Sequence, residues 1–274
     1  MPSIAEALRA GAARLAAAGL DPDGAAPARR EAELLLCAAA DLSRSTLIAW
    51  PERALTAEQA ARFEGWVARR AAGEPIAYIV GRCGFYGLEL AVTPATLIPR
   101  PETELLVDWM LAALPADAPI ICADLGTGSG AIAAALAHER PRWTLLAIDR
   151  SAAAIGIAAA NARALRLDNL LPMRGDWVAA IADGSLDAVV ANPPYVRCDD
   201  PHLRRGDLRF EPVSALAAEA DGLDAIRIII DQARRYLRPG GQVAIEHGWD
   251  QGAAVRGLLV AAGYDRIDTR RDLA

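Results

Sequence analysis

Apolar positions recur at helical spacing through the first quarter of the chain. Ile4, Leu8, Ala12 and Leu15 fall on one side of a helix that Gly19 and Asp21-Pro22 bring to a stop. A second helix is predicted from Arg29 to Ala40, with Leu34, Leu35 and Leu36 as its apolar content, and a short third one near Ser45 to Trp50, before Pro51. Thr56 offers a side-chain acceptor to open a fourth, carrying Ala60, Phe63, Trp66 and Val67 on one side until Gly73. The pattern then changes. Gly84-Phe85-Tyr86-Gly87 and Leu88-Glu89-Leu90-Ala91-Val92 read as a small β-hairpin with glycines at its turn. Thr93 to Glu102 holds three prolines and forms a stiff connector, and Thr103 to Leu114 is again helical.

From Pro119 onward strands alternate with helices. The predicted strands are Ile120–Asp124, Leu145–Asp149, Leu170–Met173, Ala188–Asn192, Gln242–His247 and Asp265–Thr269. The helices between them lie near Ala131–Ala137, Ser151–Leu165, Leu223–Tyr236 and Asp250–Ala262. Such alternation implies an α/β fold, a mainly parallel, doubly wound sheet with helices on both faces. The chain thus divides into a helical unit over residues 1–74, a linker with its hairpin over 75–102, and an α/β domain over 103–274. Ligands of open sheets bind beyond the carboxyl ends of the strands, so functional residues are expected just after them.

Composition narrows the chemistry. Of 274 residues, 53% are hydrophobic and 23% charged, enough for a sizeable core. No apolar stretch reaches the roughly 20 residues that a membrane span needs, and Met1-Pro2-Ser3-Ile4-Ala5-Glu6 lacks the layout of a secretory signal. A cytoplasmic protein with no membrane partner is expected. The 35 acids outnumber the 29 bases, and a net charge of -6 does not suit a dedicated nucleic-acid coat. Every base is arginine, which removes Schiff-base, pyridoxal-phosphate and phosphate-loop lysine chemistry. Cys37, Cys83, Cys122 and Cys198 form no CxxC pair, and His138, His202 and His247 give no zinc spacing, so no metal site is expected.

Four runs carry candidate chemistry, each placed after a strand. Asp124-Leu125-Gly126-Thr127-Gly128-Ser129-Gly130 opens a helix, and its glycines let backbone approach a ligand closely. Gly126, Gly128 and Ala131 also satisfy the relaxed dinucleotide pattern. Asp149 ends the second strand and can accept bonds from ribose hydroxyls, which suits a nicotinamide dinucleotide or S-adenosylmethionine equally. It can instead serve only to cap the next helix. Asp176 and Trp177 follow the third strand and suit an adenine amine and ring face, although Trp177 also suits the core. Asn192-Pro193-Pro194-Tyr195 follows the fourth. Two prolines remove N–H donors and leave carbonyls, Asn192 adds a side-chain acceptor and Tyr195 a flat ring, together a site for a planar NH2 group.

These runs resemble the class I S-adenosylmethionine-dependent methyltransferases that act on amide or exocyclic amine nitrogens. Further runs narrow the resemblance: Gly73-Glu74-Pro75-Ile76-Ala77-Tyr78-Ile79-Val80-Gly81, Leu97-Ile98-Pro99-Arg100-Pro101-Glu102-Thr103-Glu104, Phe210-Glu211-Pro212 with Ala215-Leu216, and Asp221-Gly222-Leu223. Together they closely resemble the bacterial release factor glutamine methyltransferases over nearly the whole chain. The resemblance implies a class I methyltransferase-like fold with a small N-terminal helical domain that grips the protein substrate. It implies S-adenosylmethionine bound by Gly126, Thr127, Gly128, Ser129, Gly130, Asp149, Asp176, Trp177 and Asn192, with S-adenosylhomocysteine as product. Asn192, Pro193, Pro194 and Tyr195 would hold the glutamine of a Gly-Gly-Gln loop, with Asn192, Pro193 and Tyr195 serving catalysis. Class I peptide chain release factors would be the partners of a monomeric enzyme, without stable nucleic-acid contacts. The family continues past Asp272-Leu273-Ala274 with a final antiparallel strand, so either a chain cut short of that strand or a sheet closed differently is expected.

Other readings use the same residues. A dehydrogenase accounts for the glycine loop and Asp149 but not for Asn192-Pro193-Pro194-Tyr195. A DNA or RNA amino-methyltransferase accounts for that run, and needs a basic groove to which His202, Arg204 and Arg205 would contribute if they were not simply solvated. A ribosomal-protein glutamine methyltransferase shares the run but normally differs in the connector. A non-catalytic binding module leaves the cofactor set without a purpose.

Overall fold

Ser3 and Thr56 open their helices by the same reciprocal device. Ser3 Oγ accepts from the Glu6 amide at 3.2 Å while Glu6 Oε2 accepts from the Ser3 amide at 2.8 Å, and Thr56 and Gln59 repeat the arrangement. In the computed structural model, which describes residues 1–19, 25–177, 181–204, 206–218 and 221–272, these are helices α1 (Ile4–Ala18) and α4 (Ala57–Ala71). Between them lie α2 (Ala25–Ala40) and α3 (Arg44–Ala49), and after them a single turn, α5 (Ile76–Val80), which the sequence pattern does not announce. Asp21 and Pro22, expected to end α1, lie outside the described residues. Ile4, Leu15, Leu35, Leu36, Phe63 and Val67 fill the core of this unit. Gly11 is required there, since a Cβ would stand 2.7 Å from Phe63. The unit comprises Met1–Gly81 with Arg204–Phe210, and the buried Arg70 guanidinium joins its pieces by bonding Glu31 at 2.7 Å and Asp207 at 2.7 Å.

The second unit, Arg82–Leu203 with Glu211–Ala274, begins with the hairpin β1 (Arg82–Phe85) and β2 (Leu88–Ala91). Tyr86 and Gly87 both have positive φ, +49° and +74°, which matches the twist of a two-residue hairpin. Helix α6 (Glu104–Ala113) follows the connector. The chain then alternates through β3 (Ile121–Leu125), α7 (Ala131–Glu139), β4 (Thr144–Asp149), α8 (Ala152–Ala164), β5 (Leu170–Arg174) and β6 (Leu186–Ala191). A two-strand parallel pair, β7 (Val196–Arg197) with β8 (Ala217–Ala218), flanks the short helix α9 (Val213–Leu216). Then come α10 (Asp224–Tyr236), β9 (Leu237–Ile245) and α11 (Gly252–Ala261).

Five strands form one parallel sheet in the order β5-β4-β3-β6-β9. Alternate residues of its central strands pack to opposite sides. Cys122, Ala188 and Val190 meet the apolar faces of α6 and α7, whereas Ala123, Leu125, Val189 and Ala191 meet Ile229 and Ala233 of α10. This is the class I methyltransferase-like, doubly wound arrangement. The chain moves outward from β3 to β5, then crosses back to β6 on the other side of β3. That reversal opens a crevice between the carboxyl ends of β3 and β6, the place where open sheets bind ligands.

Asp265–Thr269, expected as a strand, is not one. Arg266 takes a φ of +49°, the Ile267 carbonyl accepts from Arg256 Nη1 at 2.8 Å instead of from a ladder, and Ile267 is the segment's lone large apolar side chain. β9 is therefore the outermost strand on its side of the sheet among the described residues. The expected strand beyond Asp272-Leu273-Ala274 falls outside them.

Candidate active site

The end of β3 is buried, and Asp124 is buried with it. Its Oδ2 accepts from Thr127 Oγ1 at 2.5 Å and from the Ala133 amide at 3.2 Å, so one carboxylate fixes both the glycine loop and the first turn of α7. Its Oδ1 is buried without a hydrogen-bond partner. Burial raises the Asp124 carboxyl to about 7 against these two bonds, which favour its charge.

The loop itself turns three times through left-handed backbone, with φ of +72° at Gly126, +56° at Gly128 and +82° at Gly130. Gly126 and Thr127 both donate to the Ile148 carbonyl, at 2.9 and 3.0 Å. The Gly128 amide donates to Asp149 Oδ2 at 3.0 Å, and Asp149 Oδ1 accepts from the Ser151 amide at 2.8 Å. Ser151 is the residue that caps α8, through its own hydroxyl, so Asp149 is not simply the cap of that helix. Gly130 is closed in from outside, since a Cβ there would stand 3.1 Å from that of Ala158.

Trp177 reaches back over the loop. A Cβ on Gly126 would be 3.8 Å from its ring, and the indole is half-buried against the core beside Ile148. The Gly175 amide, just before Asp176, bonds the Asp149 carbonyl at 3.1 Å, which ties the ends of β4 and β5 together.

Beyond β6, Asn192 Nδ2 donates to Thr103 Oγ1 at 3.0 Å. That bond commits the amide nitrogen and leaves the side-chain oxygen as the group to be used elsewhere. Pro193 is buried. Tyr195 turns its hydroxyl away to Glu246 Oε1 at 3.1 Å, and its ring packs beside Leu223, Ile226 and Val255. Burial and the neighbouring Glu246 charge raise the Tyr195 phenol. Glu246 is raised as well by burial, while Thr103, Tyr195 and Asn192 favour its charge and Glu102 opposes it.

One cavity of about 520 Å³ joins most of these pieces. Gly126, Thr127, Gly128, Ser129, Asp149, Asp176, Trp177, Asn192 and Pro194 line it, with Thr103, Leu97 and Pro212. Tyr195 lines a neighbouring cavity of about 410 Å³ with Arg100, Glu102, Glu246 and His247. Most of the predicted residues thus come together; Gly130 and the buried Pro193 do not line this cavity, and Tyr195 faces the rear of the cradle. Arg205 lies outside the described residues, as do the side chains of His202 and Arg204.

Several site residues had no role in the sequence reading. The side chain of Glu211 is fully buried; it accepts from the Ile98 amide at 3.1 Å and pairs with Arg100, which explains why Phe210-Glu211-Pro212 accompanies the proline connector. Gly222 has a φ of +79°, and a Cβ there would be 2.5 Å from the Tyr195 carbonyl oxygen. Gln251 Nε2 donates to that same carbonyl at 3.2 Å. Asn161, buried on α8, donates to the Ser129 carbonyl at 2.8 Å. The one local signal for it is an amide amid the alanines of an apolar helix face.

Two family models match the chain, the PrmC N-terminal domain over residues 6–81 and the methyltransferase small domain over residues 102–204. The release factor glutamine methyltransferase of Pseudomonas aeruginosa is 52% identical over 246 residues, covering 90% of this chain and 89% of that protein. That of Escherichia coli K12 is 46% identical over 244 residues, covering 89% and 88%. Among solved structures, a Pyrococcus furiosus methyltransferase aligns with a TM-score of 0.52 at 16% identity, over 76% of this chain and 91% of the other. The human Mettl16 catalytic domain aligns at 0.51 with 17% identity, over 75% and 73%. Both share the fold.

Proposed function

Because the chain belongs to the release factor glutamine methyltransferases, we propose that its cavity binds S-adenosylmethionine along the glycine loop and presents a release-factor glutamine to it from the Asn192 side. The reaction is methyl transfer to N5 of the glutamine in the Gly-Gly-Gln motif of class I peptide chain release factors, leaving S-adenosylhomocysteine. The single observation that carries this reading is the Asn192–Thr103 bond, which engages the amide nitrogen and leaves an acceptor oxygen on a residue lining the cavity shared with Asp149 and the glycine loop.

The residues present suit the cofactor. Asp149 spends one lone pair of each oxygen on backbone amides and keeps others for ribose hydroxyls. Asp176 and Trp177 offer an acceptor and a flat wall for adenine. When bound, S-adenosylmethionine supplies an electrophilic methyl carbon on a sulfonium that departs as a neutral thioether.

A carboxamide nitrogen is a weak nucleophile because its lone pair is delocalised. The cradle counters this by position and by acceptors. Asn192 Oδ1 and the Pro193 carbonyl would accept the two amide hydrogens, and the Pro193 and Pro194 rings keep the backbone that carries them rigid. During methyl transfer positive charge would grow on the substrate nitrogen. Both hydrogen bonds strengthen as it does, so they favour the transition state over the ground state. One amide proton then passes to solvent. Tyr195 acts from behind, its hydroxyl fixed by Glu246 and its carbonyl by Gln251, holding the two prolines in place. Orientation of this kind is worth up to about 7–11 kcal/mol.

The enzyme works as a cytoplasmic monomer, and its net charge of -6 weighs against stable nucleic-acid partners. No helix among the described residues is long and apolar enough to cross a membrane. The experiment is incubation with methyl-labelled S-adenosylmethionine and, separately, release factor, ribosomal protein, DNA and RNA, followed by mass spectrometry. Label on the Gly-Gly-Gln glutamine is expected; label on a nucleic-acid amino group or a ribosomal protein instead would overturn the assignment.

A further inference from the structure

Trp249 lies almost wholly in water. It is 97% exposed, more than any other large apolar residue among those described, so its side chain adds nothing to the core. We propose that Trp249 is a docking anchor for the protein substrate, taking an arginine or lysine of the release factor beside the Gly-Gly-Gln loop. This rests on the functional reading above and adds to it a contact outside the cavity.

The sheet puts the indole next to the cradle. Strands β6 and β9 run parallel with Ala191 in register with Ile245, so the segments that leave their ends are neighbours. One carries Asn192-Pro193-Pro194-Tyr195, and the other turns back at once. The Gln251 amide donates to the Gly248 carbonyl at 3.0 Å, which closes a four-residue turn with Trp249 and Asp250 at its tip. Gln251 fixes this turn with both ends of its side chain. Its Oε1 accepts from the Gly248 amide at 2.8 Å, and its Nε2 donates to the Tyr195 carbonyl at 3.2 Å. The backbone that presents Trp249 is therefore tied to the backbone that carries the two prolines.

A fixed backbone with a free side chain is what an anchor needs. An indole in water is stabilised by being covered, and one held on a pinned turn loses little chain entropy when a partner covers it. Tryptophan is accordingly among the residues that dominate binding at protein interfaces. The charges around it select the partner. Asp250 is exposed beside it at the tip of the turn. Gln251 Nε2 also lies 3.4 Å from the Asp221 and Gly222 carbonyls, which brings the half-exposed carboxylates of Asp221 and Asp224 to the same edge. Those two share Arg227, so three carboxylates stand with one guanidinium. An indole in such surroundings attracts a cation and lets it stack on the ring face. The position suits a protein substrate, since only a loop of it can enter a cavity of about 520 Å³ and the rest must lie on the surface around the cradle.

The test is steady-state methylation of full-length release factor by the wild-type protein and by Trp249→Ala, Trp249→Phe and Asp250→Asn, at saturating S-adenosylmethionine. Because Trp249 packs against almost nothing, its replacement should leave the thermal unfolding midpoint where it is. Expected for Trp249→Ala are a release-factor KM raised by about tenfold to thirtyfold, a kcat within about twofold of wild type, and an unchanged S-adenosylmethionine Kd. Trp249→Phe keeps a ring face and should regain most of the loss. Asp250→Asn should raise KM by about threefold at low salt, and by less as salt is added. An unchanged KM in Trp249→Ala overturns the inference. A fall in kcat alone overturns it too, because the indole would then be a support of the cradle. So does a wild-type dimer that Trp249→Ala converts to a monomer in analytical ultracentrifugation, which would give this surface to a second copy of the chain. A wild-type protein that methylates no release factor overturns the functional reading, and the inference with it.

Discussion

Asn161 gives Ala91 both of the hydrogen bonds that a neighbouring strand would offer. Its Oδ1 accepts from the Ala91 amide at 2.7 Å, and its Nδ2 donates to the Ala91 carbonyl at 3.1 Å. The same nitrogen holds the Ser129 carbonyl at 2.8 Å. One buried side chain thus pairs the edge of the hairpin and clamps the glycine loop. Asn161→Ala would leave three backbone groups without these partners, a loss on the order of 3 kcal/mol of stability. Because the loop is released as well, calorimetry should show S-adenosylmethionine binding weakened by about tenfold. Asn161→Asp should be worse, since it sets a carboxylate against two carbonyls.

Asp124 makes stability depend on pH in an unusual direction. Its carboxyl is raised from 3.8 to about 7 by burial. Across that window the folded protein holds a proton that the unfolded chain has released, so stability falls as pH rises. The slope is about 1.4 kcal/mol per pH unit, on the order of 4 kcal/mol in all. Denaturant titrations of the ligand-free protein at pH 4.5 and 7 should show this fall superimposed on the ordinary carboxylate background. Asp124→Asn should remove that part of it. An identical pH dependence in the variant would show that Asp124 is ionised throughout.

These two residues mark how far the sequence can be read. Strands β3 to β6 were legible because each is an apolar run closed by a glycine, an aspartate or an asparagine. The glycine loop, Asp149, Trp177 and Asn192 were legible because they follow strand ends. Asn161, Thr103 and Glu246 were not, because their meaning lies in contacts across the fold: Asn192 meets Thr103 from 89 positions away and Ala91 meets Asn161 from 70. Tyr195 was expected at the front of the amide pocket. Two prolines after the strand end break the alternation that would tell which way its side chain points. Asp265–Thr269 misled for the opposite reason, since its single large apolar residue could not make a strand without a buried face to serve.

Gly222 is the test of the cradle's backbone. With a φ of +79° and the Tyr195 carbonyl oxygen 2.5 Å from where a Cβ would go, Gly222→Ala combines a strained conformation with a clash. It should cost about 2–4 kcal/mol. The displaced backbone carries Pro193 and Pro194, so kcat should fall more than S-adenosylmethionine affinity. Thermal unfolding and initial rates measured on the same preparation would separate the two effects.

The Arg100–Glu211 pair should respond unequally to loss of its two members. The Glu211 side chain is fully buried, whereas that of Arg100 is 33% exposed. Arg100→Ala leaves a buried carboxylate supported by the Ile98 amide, and should cost about 3–5 kcal/mol. Glu211→Gln removes the buried charge and keeps an acceptor for Ile98, while Arg100 retains access to water, so it should cost clearly less. A double-mutant cycle read by chemical denaturation would check this, and equal costs would contradict the burial asymmetry.

Asp149 and Asn192 line one cavity but should fail differently when removed. Asp149 binds the Gly128 amide, and in the proposed reading its remaining lone pairs would take a ribose, away from the atoms that react. Asp149→Ala should therefore raise the S-adenosylmethionine Kd by about tenfold to a hundredfold, in the range of a lost charge-assisted pair. Turnover at saturating cofactor should change little. In the proposed reading Asn192 would act on a charge that appears only as the new N–C bond forms. Asn192→Ala should lower kcat by about a hundredfold to a thousandfold, the scale of losing one transition-state hydrogen bond. Cofactor affinity should fall much less. Calorimetry gives the first quantity and single-turnover methylation the second. The division is informative because two residues that merely shaped the same pocket would shift both quantities together. If Asn192→Ala weakened cofactor binding as strongly as it slowed methyl transfer, its oxygen would be reading the cofactor and not the amide.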